Sequence, residues 1–489
     1  MSEHLSALVV VLPLLAAPVC LLLRQPTLVR IWTSIVAWTC LILAWTLLER
    51  VQAGGAITYS MGGWAPPLGI EYRLDALNAY LLVIVTAIAS VVFPSGTILT
   101  GTSLPEGRQH LYFAALLLCL AGLLGISSTG DLFNVFVFVE ITSLSSYTLI
   151  SLGKDRRALT AAFSYLVMGT IGGTFLLLGI GFLYQVTGTL NMQDLALRLP
   201  DLLQSRTVLA GFAFLMVGGS IKLAVFPLHQ WLPNAYTQAP SAVSAFIAAT
   251  ATKVSYYLLA RVIFTIFGTA FVFDALHLHW LLLPLALMAM FAGSLAAVFQ
   301  TDLKRLLAYS SIAQIGYMIL GLCMASEAGL TGGIVHLFNH ALMKGGLFLA
   351  VASIVMRTGS SSVAGISGLG RKMPITMAAV VVGGLSLIGV PGTAGFVSKW
   401  YLVVGALERG WHFVGILILL SSLIAVVYVW RLVEVAYFGE PEHEVCDVPW
   451  NCWLPTWILI GATLVFGFWT DVTVGGAAAA ARAILGVTP

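Results

Sequence analysis

The chain is a succession of apolar runs, each about as long as a bilayer is thick. A helix rising 1.5 Å per residue needs about 20 residues to cross the hydrocarbon core. Roughly fourteen runs of that length follow one another. The first eight are Leu5–Leu23, Ile31–Leu48, Leu74–Phe93, Leu111–Ile126, Leu132–Leu152, Leu159–Tyr184, Val208–Phe226 and Ala242–Phe267. The other six are Ala275–Phe299, Leu303–Met324, Gly329–Met356, Ile375–Ala406, Phe413–Phe438 and Trp453–Trp469. Only 9% of the residues are charged and 59% are hydrophobic, whereas soluble proteins carry about 25% charged residues. The fold class is therefore all-α, a polytopic membrane protein of about fourteen transmembrane helices.

The polar gaps from Glu49 to Arg73 and from Thr187 to Arg206 are loop-sized and leave no separate soluble domain. The formal net charge of +3 gives no reason to expect a nucleic-acid partner. No basic region or small-residue cleavage site precedes Pro13, so the first run is read as a retained span. Cys20, Cys40, Cys119 and Cys323 lie in apolar runs as small hydrophobes, and Cys446 and Cys452 lack metal-ligand spacing. Neither a disulfide nor a metal site is expected, and no cofactor motif is present.

Alternate loops collect Arg24, Arg30, Arg108, Lys154, Arg156, Arg157, Lys304, Arg305, Arg357, Arg371, Lys372 and Arg431. The opposite loops hold Arg50, Arg73, Arg198, Arg206, Arg409 and Arg482. The positive-inside rule makes the richer set cytoplasmic, with both termini outside. Five basic residues are left within spans: Lys222, Lys253, Arg261, Lys344 and Lys399, with one mid-span carboxylate, Glu140. Charges at membrane depth require partners or hydration and mark ion routes. Arg261 lies near a span end, where snorkelling to the interface is the plain reading.

Two spans are interrupted. Pro227 and Pro233 follow Lys222 in G-G-S-I-K-L-A-V-F-P-L-H-Q-W-L-P, and Pro391 and Gly392 precede Lys399 in V-P-G-T-A-G-F-V-S-K. Proline removes a backbone donor, and freed backbone groups are tolerated in a membrane only against protein or a water-filled cavity. Each break falls in the fourth span of a five-span block, and breaks at matching places point to a transport site. Two five-helix repeats follow, inverted because five is odd. Residues 1–100 hold three leading helices, 101–270 the first repeat, 271–440 the second, and 441–489 a cytoplasmic loop with a C-terminal helix.

Glu140 needs a counter-charge, and Lys222 is the natural one, as an ion route or as a static clamp between helices. Desolvation favours a neutral amine and a nearby carboxylate favours the cation, so a lysine held between them can take and release a proton. Lys253 is mid-span. His336, His340 and Lys344 stand at i, i+4 and i+8 on one helix face, about 6 Å apart in rise, a ladder of titratable groups. A two-histidine metal site and single histidines satisfied by carbonyls are the competing readings. Lys399, followed by Trp400 and Tyr401, is a terminal proton station or an interfacial lysine. His229 gates the first break or caps a re-entrant turn. Glu440, Glu442, His443, Glu444 and Asp447 form a solvated loop or a docking surface.

The patterns K-x-x-x-x-P-x-H-x-W-L-P from Lys222 and H-x-x-x-H-A-x-x-K from His336, with the glycine-rich break before Lys399, resemble the antiporter-like family. That family comprises the large membrane subunits of respiratory complex I and of Mrp-type Na+/H+ antiporters, and the likeness is greatest to the Mrp branch. The resemblance implies fourteen helices in two inverted repeats and a paired Glu140 and Lys222. It implies a connecting Lys253, a central His336–His340–Lys344 axis and a terminal Lys399. It further implies no cofactor in this chain, a place in the bacterial inner membrane, and other membrane subunits, protons, a monovalent cation and the lipid bilayer as partners.

Overall fold

The computed structural model describes residues 4–100, 107–441 and 444–486. Three helices lead: α1 (Leu5–Leu22), α2 (Pro26–Gly54) and α3 (Ala76–Thr100). The gap after α2, expected to be loop alone, folds into a hairpin of β1 (Ile57–Ser60) and β2 (Glu71–Leu74), paired antiparallel from Ile57↔Leu74 to Ser60↔Glu71. Then come α4 (Gln109–Ser128), α5 (Leu132–Ser151), α6 (Arg157–Thr187), the short α7 (Met192–Arg198), α8 (Arg206–Leu223), α9 (Trp231–Gln238) and α10 (Ser241–Ala260). The backbone of α10 runs on as a π-helical stretch, Arg261–Ile266.

The second half contains α11 (His279–Val298), α12 (Leu303–Met324), α13 (Glu327–Thr358), the four-residue α14 (Leu369–Lys372), α15 (Pro374–Ile388), α16 (Ala394–Glu408) and α17 (His412–Phe438). The chain closes with α18 (Trp450–Phe468) and α19 (Asp471–Leu485). Among the described residues thirteen helices are each long and apolar enough to cross a membrane. The remaining predicted span, Ile375–Ala406, is divided between α15 and α16, 15 residues each. Helix α19 was not expected from the sequence. It is short and alanine-rich, and Arg482 on it reaches Glu327 at 2.7 Å.

Burial sorts the bundle. In the apolar stretches of α10 and α12, 94% of residues are buried, against 33% in α2 and 28% in α18. Helices α10, α12 and α13, which carry Lys253, Lys304, His336, His340 and Lys344, are thus inner ones, where charges can find protein partners. Close packing depends on small residues, since lipid supplies no hydrophobic drive between helices. On α6 and α8, Gly172 and Gly179 face Gly218 and Gly211 across the interface. A Cβ on Gly218 would stand 2.7 Å from the Gly172 carbonyl oxygen.

The two halves share their details. Asp131 caps α5 by accepting from the Asn134 amide at 2.7 Å, and Asp302 caps α12 by accepting from the Arg305 amide at 2.9 Å. Asp131 forms an isolated β-bridge with Asn191, and Asp302 forms one with Ser362.

Candidate functional site

The first break begins where α8 ends with Ala224 in the left-handed region, φ 61°. The Ile221 carbonyl at this end accepts from the Trp231 indole N–H at 2.9 Å, so the freed backbone is satisfied from within. Pro227 lies in the break. Pro233 does not: it is the third residue of α9, and a proline is tolerated in the first turn, where its missing N–H has no intrahelical partner. His229 is half-buried and stacks on Phe226 with ring centroids 5.1 Å apart, and its Nδ1 has no partner among the described residues.

Lys222, in the last turn of α8, is buried. Its ammonium donates to Ser143 Oγ at 2.8 Å and stands 3.6 Å from Glu140 Oε1. Glu140 and Ser143 are three residues apart on α5 and so share a face. The carboxylate is in ion contact, but its Oε1 accepts no hydrogen bond from the described residues. Gly173 on α6 makes room for it: a Cβ there would lie 2.2 Å from Oε1. Beside Lys222 lies a cavity of about 30 Å³, lined in part by Thr142, Ser143, Tyr165 and Ser255, large enough for a water.

In the centre, Lys253 is fully buried and donates to the Ala248 carbonyl at 2.6 Å and to Thr252 Oγ1 at 3.3 Å. His336 and His340 are fully buried with near-parallel rings, centroids 6.3 Å apart. His336 Nδ1 meets Ser398 Oγ at 2.8 Å, while its Nε2 and both nitrogens of His340 have no partner among the described residues. Lys344 turns its ammonium to α12, donating to the Leu307 carbonyl at 2.8 Å and to Ser310 Oγ. The spacing that suggested a ladder does align the two imidazoles, and the lysine ends it on a neighbouring helix. Among the described residues no group of three or more His, Cys, Asp or Glu is arranged to hold a metal ion.

The second break runs from Gly389, φ 87°, through Pro391 to Gly392, φ 85°. Lys399 reaches back from α16 to the end of α15. It donates to the carbonyls of Leu387 at 3.1 Å and Ile388 at 2.8 Å, and to Ser422 Oγ at 2.9 Å. The ammonium also lies 4.8 Å from the centre of the Tyr317 ring, which is 5.4 Å from the ring of His336. Lys399 is buried while Trp400 is 57% exposed, so the lysine faces the protein and not the interface.

The transmembrane model described as NADH:quinone oxidoreductase/Mrp antiporter matches residues 129–425, from the first cap through the second break. The chain belongs to this family. It is 43% identical over 451 residues to NADH-quinone oxidoreductase subunit N of Desulforudis audaxviator, covering 90% of this chain and 88% of that one. It is 31% identical over 471 residues to a Na(+)/H(+) antiporter subunit of Bacillus subtilis, covering 94% and 93%. A chain in the Mrp complex from Dietzia sp. DQ12-45-1b superposes with a TM-score of 0.91 at 25% identity, covering 99% of this chain and 97% of that one. The protein is an antiporter-like, multi-pass membrane subunit.

Several partners in this antiporter-like subunit were not read from the sequence. Ser143, Ser310, Ser398 and Ser422 each touch a buried titratable group. The signal was a hydroxyl one turn from a charge or on a facing helix, and the second kind needs the fold. Arg261 does not snorkel. It is buried and donates to Asp75 Oδ1 at 2.6 Å and to Asn78. Burial pushes the Asp75 carboxyl up, but the Arg261 guanidinium and the Asn78 and Leu77 amides together hold the group below its usual range. Lys304, counted with the cytoplasmic charges, is buried inside the bundle. Asp447 is not free in its loop either: it accepts from the Ile375 amide at 2.7 Å and from Thr376, capping α15. Glu442 and His443 lie outside the described residues.

Proposed function

We propose that this chain moves protons across the membrane as a subunit of a multisubunit monovalent cation (Na+)/proton antiporter. The observation that carries the proposal is the row of titratable groups between two helix breaks, from the half-buried Glu140 at one end through buried lysines and histidines to Lys399 at the other. Protons would be taken up near the first break, pass from Lys222 to Lys253, cross by His336, His340 and Lys344, and leave at Lys399. The unpartnered imidazole nitrogens suit proton-carrying waters, which hold two to four polar partners. Separation of Glu140 from Lys222 would change the affinity of the lysine for its proton and so switch direction. His229 beside the first break is the gating candidate.

The same reading takes residues 101–270 and 271–440 as inverted repeats, supported by the matching caps at Asp131 and Asp302. It places the subunit in a bacterial inner membrane with both ends outward, among other membrane subunits. A second reading, in which redox chemistry in partner subunits drives the protons, is favoured by the 43% identity to an NADH-quinone oxidoreductase subunit.

The test is to purify the tagged protein with its partners in mild detergent, weigh the partners, and record a visible spectrum. Small hydrophobic partners without a chromophore support the antiporter, and iron–sulfur or flavin absorbance supports the redox-driven pump. In reconstituted vesicles Lys222→Ala abolishes proton transport with the complex still assembled. Retained transport overturns the path.

A further inference from the structure

Lys304 is a buried cation that the proposed path does not use. It occupies the first turn of α12, where a positive charge meets the positive end of the helix dipole and is disfavoured. It is 7% exposed and buried inside the bundle. Among the described residues it donates to the Ala239 carbonyl, at 2.9 Å. Ala239 is the C-cap of α9 and is itself buried. On its own helix the ammonium meets the positive dipole end, opposed by the Asp302 carboxylate at the N-cap, and at Ala239 it meets the negative end of another helix.

Helix α9 follows the first break, and it is held at both ends. At its start, Trp231 stacks face to face on Tyr165 and donates to the Ile221 carbonyl, next to Lys222. At its end, Ser244 Oγ donates to the Tyr236 carbonyl at 2.7 Å, and Lys304 takes the Ala239 carbonyl. Eight residues of helix span about 12 Å. One turn beyond Lys304 on α12 is Leu307, whose carbonyl binds Lys344. A continuous set of contacts thus runs from Lys222 through Trp231, α9 and Lys304 to the helix that holds Lys344.

We propose that Lys304 is a positioning residue that ties the first helix break to the second half of the bundle, so that the Lys222 site and the Lys344 site move together. This inference rests on the proton path proposed above. Its role is to hold α9 by charge and hydrogen bond, not to carry a proton, and arginine serves the same purpose because it donates to carbonyls and keeps its charge.

The test uses the assembled complex in lipid nanodiscs and vesicles. Lys304→Gln raises hydrogen–deuterium exchange in residues 224–238 and lowers proton transport by about fivefold or more, the size of a typical coupling between sites. Lys304→Arg restores both. Trp231→Phe removes the bond at the other end of α9 without uncovering a lysine and gives the same pair of effects. The double variant is then no worse than the worse single one. Unchanged exchange in Lys304→Gln overturns the tie, and so does raised exchange with normal transport. Failure of Lys304→Arg to restore transport overturns the positioning role. If Lys304→Gln does not assemble, Lys304→Arg and Trp231→Phe carry the same decision. Transport that survives Lys222→Ala refutes the proton path alone, since the exchange measurement reads the tie without transport.

Discussion

The two broken helices solve one problem in two ways. Each must hold an ammonium beside an interrupted backbone inside the membrane. At the first break the cation sits on the half-helix before the interruption, and a carboxylate from another helix, Glu140, faces it at 3.6 Å. The broken backbone there is satisfied by an indole, Trp231. At the second break the cation sits on the half-helix after the interruption and itself satisfies the broken backbone, through the Leu387 and Ile388 carbonyls. Those carbonyls carry the partial negative charge of a helix end. The first lysine therefore has a full counter-charge that can move on a flexible side chain. The second has fixed dipoles that cannot leave. A site meant to switch needs the former, and a site meant to hold and release at one place suits the latter.

Removing either cation gives the largest effect. Lys222→Met and Lys399→Met are each expected to reduce proton transport in vesicles to that of protein-free vesicles. Their stabilities should fall for different reasons. Lys222→Met leaves Glu140 without its counter-charge, and breaking a buried pair from one side is strongly destabilising. The penalty is softened here, because the Glu140 side chain is 29% exposed. Adding Glu140→Gln should restore the lost thermal stability. Lys399→Met strands no carboxylate but leaves the Leu387 and Ile388 carbonyls without their donor, about 1–3 kcal/mol for each buried group, and Glu140→Gln should not restore that loss. Rescue of both variants by Glu140→Gln, or of neither, would mean that the breaks do not differ as described.

Next in size are the partners. Glu140→Gln removes the one carboxylate beside Lys222, and a deep loss of transport is expected with Ser143 still holding the ammonium. Ser422→Ala removes one of three hydrogen-bond acceptors of Lys399, worth about 1.5–3 kcal/mol for a charged donor, and the two carbonyls remain. Transport measured side by side should fall much further in the first variant. If Ser422→Ala proves as damaging, the second lysine depends on its hydroxyl and not on the helix end.

The contrast was half legible in the sequence. The apolar runs, Pro227 and Pro391, and the mid-span charges disclosed the helix number, the breaks and the buried lysines, because burial of charge in a run of Leu, Ile and Val has few innocent explanations. Glu140 and Lys222 could be paired because only one carboxylate stood mid-span. Lys399 had no such partner in the sequence: its partners are a serine on another helix, Ser422, and two backbone carbonyls, which every residue has and no sequence reveals. Lys304 and Arg261 were misplaced for a related reason. Hydropathy marks where a span ends, but only the packing of neighbouring helices decides whether a charge at that depth meets water or a carbonyl. The hairpin of β1 and β2 was hidden by its brevity, and α19 by its small residues.

Backbone geometry separates the breaks by a smaller margin. Ala224 takes the left-handed conformation at the first break, and Gly389 takes it at the second. That conformation strains a residue with a Cβ by about 1–2 kcal/mol. Ala224→Gly should therefore leave melting unchanged or raise it slightly, the relief offset by glycine's greater freedom in the unfolded chain. Gly389→Ala should lower it, since the new Cβ is both strained and 2.9 Å from Lys399 Cδ. Thermal unfolding in detergent reads both. A stable Gly389→Ala variant would show that the second break can rearrange.

The smallest change tests whether the position of the Glu140 charge, and not only its presence, governs the first break. Gly173 lies on α6 with ordinary helical geometry, and alanine is preferred to glycine there by about 1 kcal/mol. The helix should tolerate Gly173→Ala. The new Cβ would occupy the place of Glu140 Oε1, at 2.2 Å. The far end of a flexible side chain can yield, so the carboxylate moves and the fold does not. Melting should hold or rise while transport falls part of the way toward the Glu140→Gln value. The charge is retained throughout, so any loss of transport is assignable to distance from Lys222. Parent-like transport would mean that the lysine senses the carboxylate from a range of positions, and a switch driven by their separation would then need a displacement larger than a methyl group imposes.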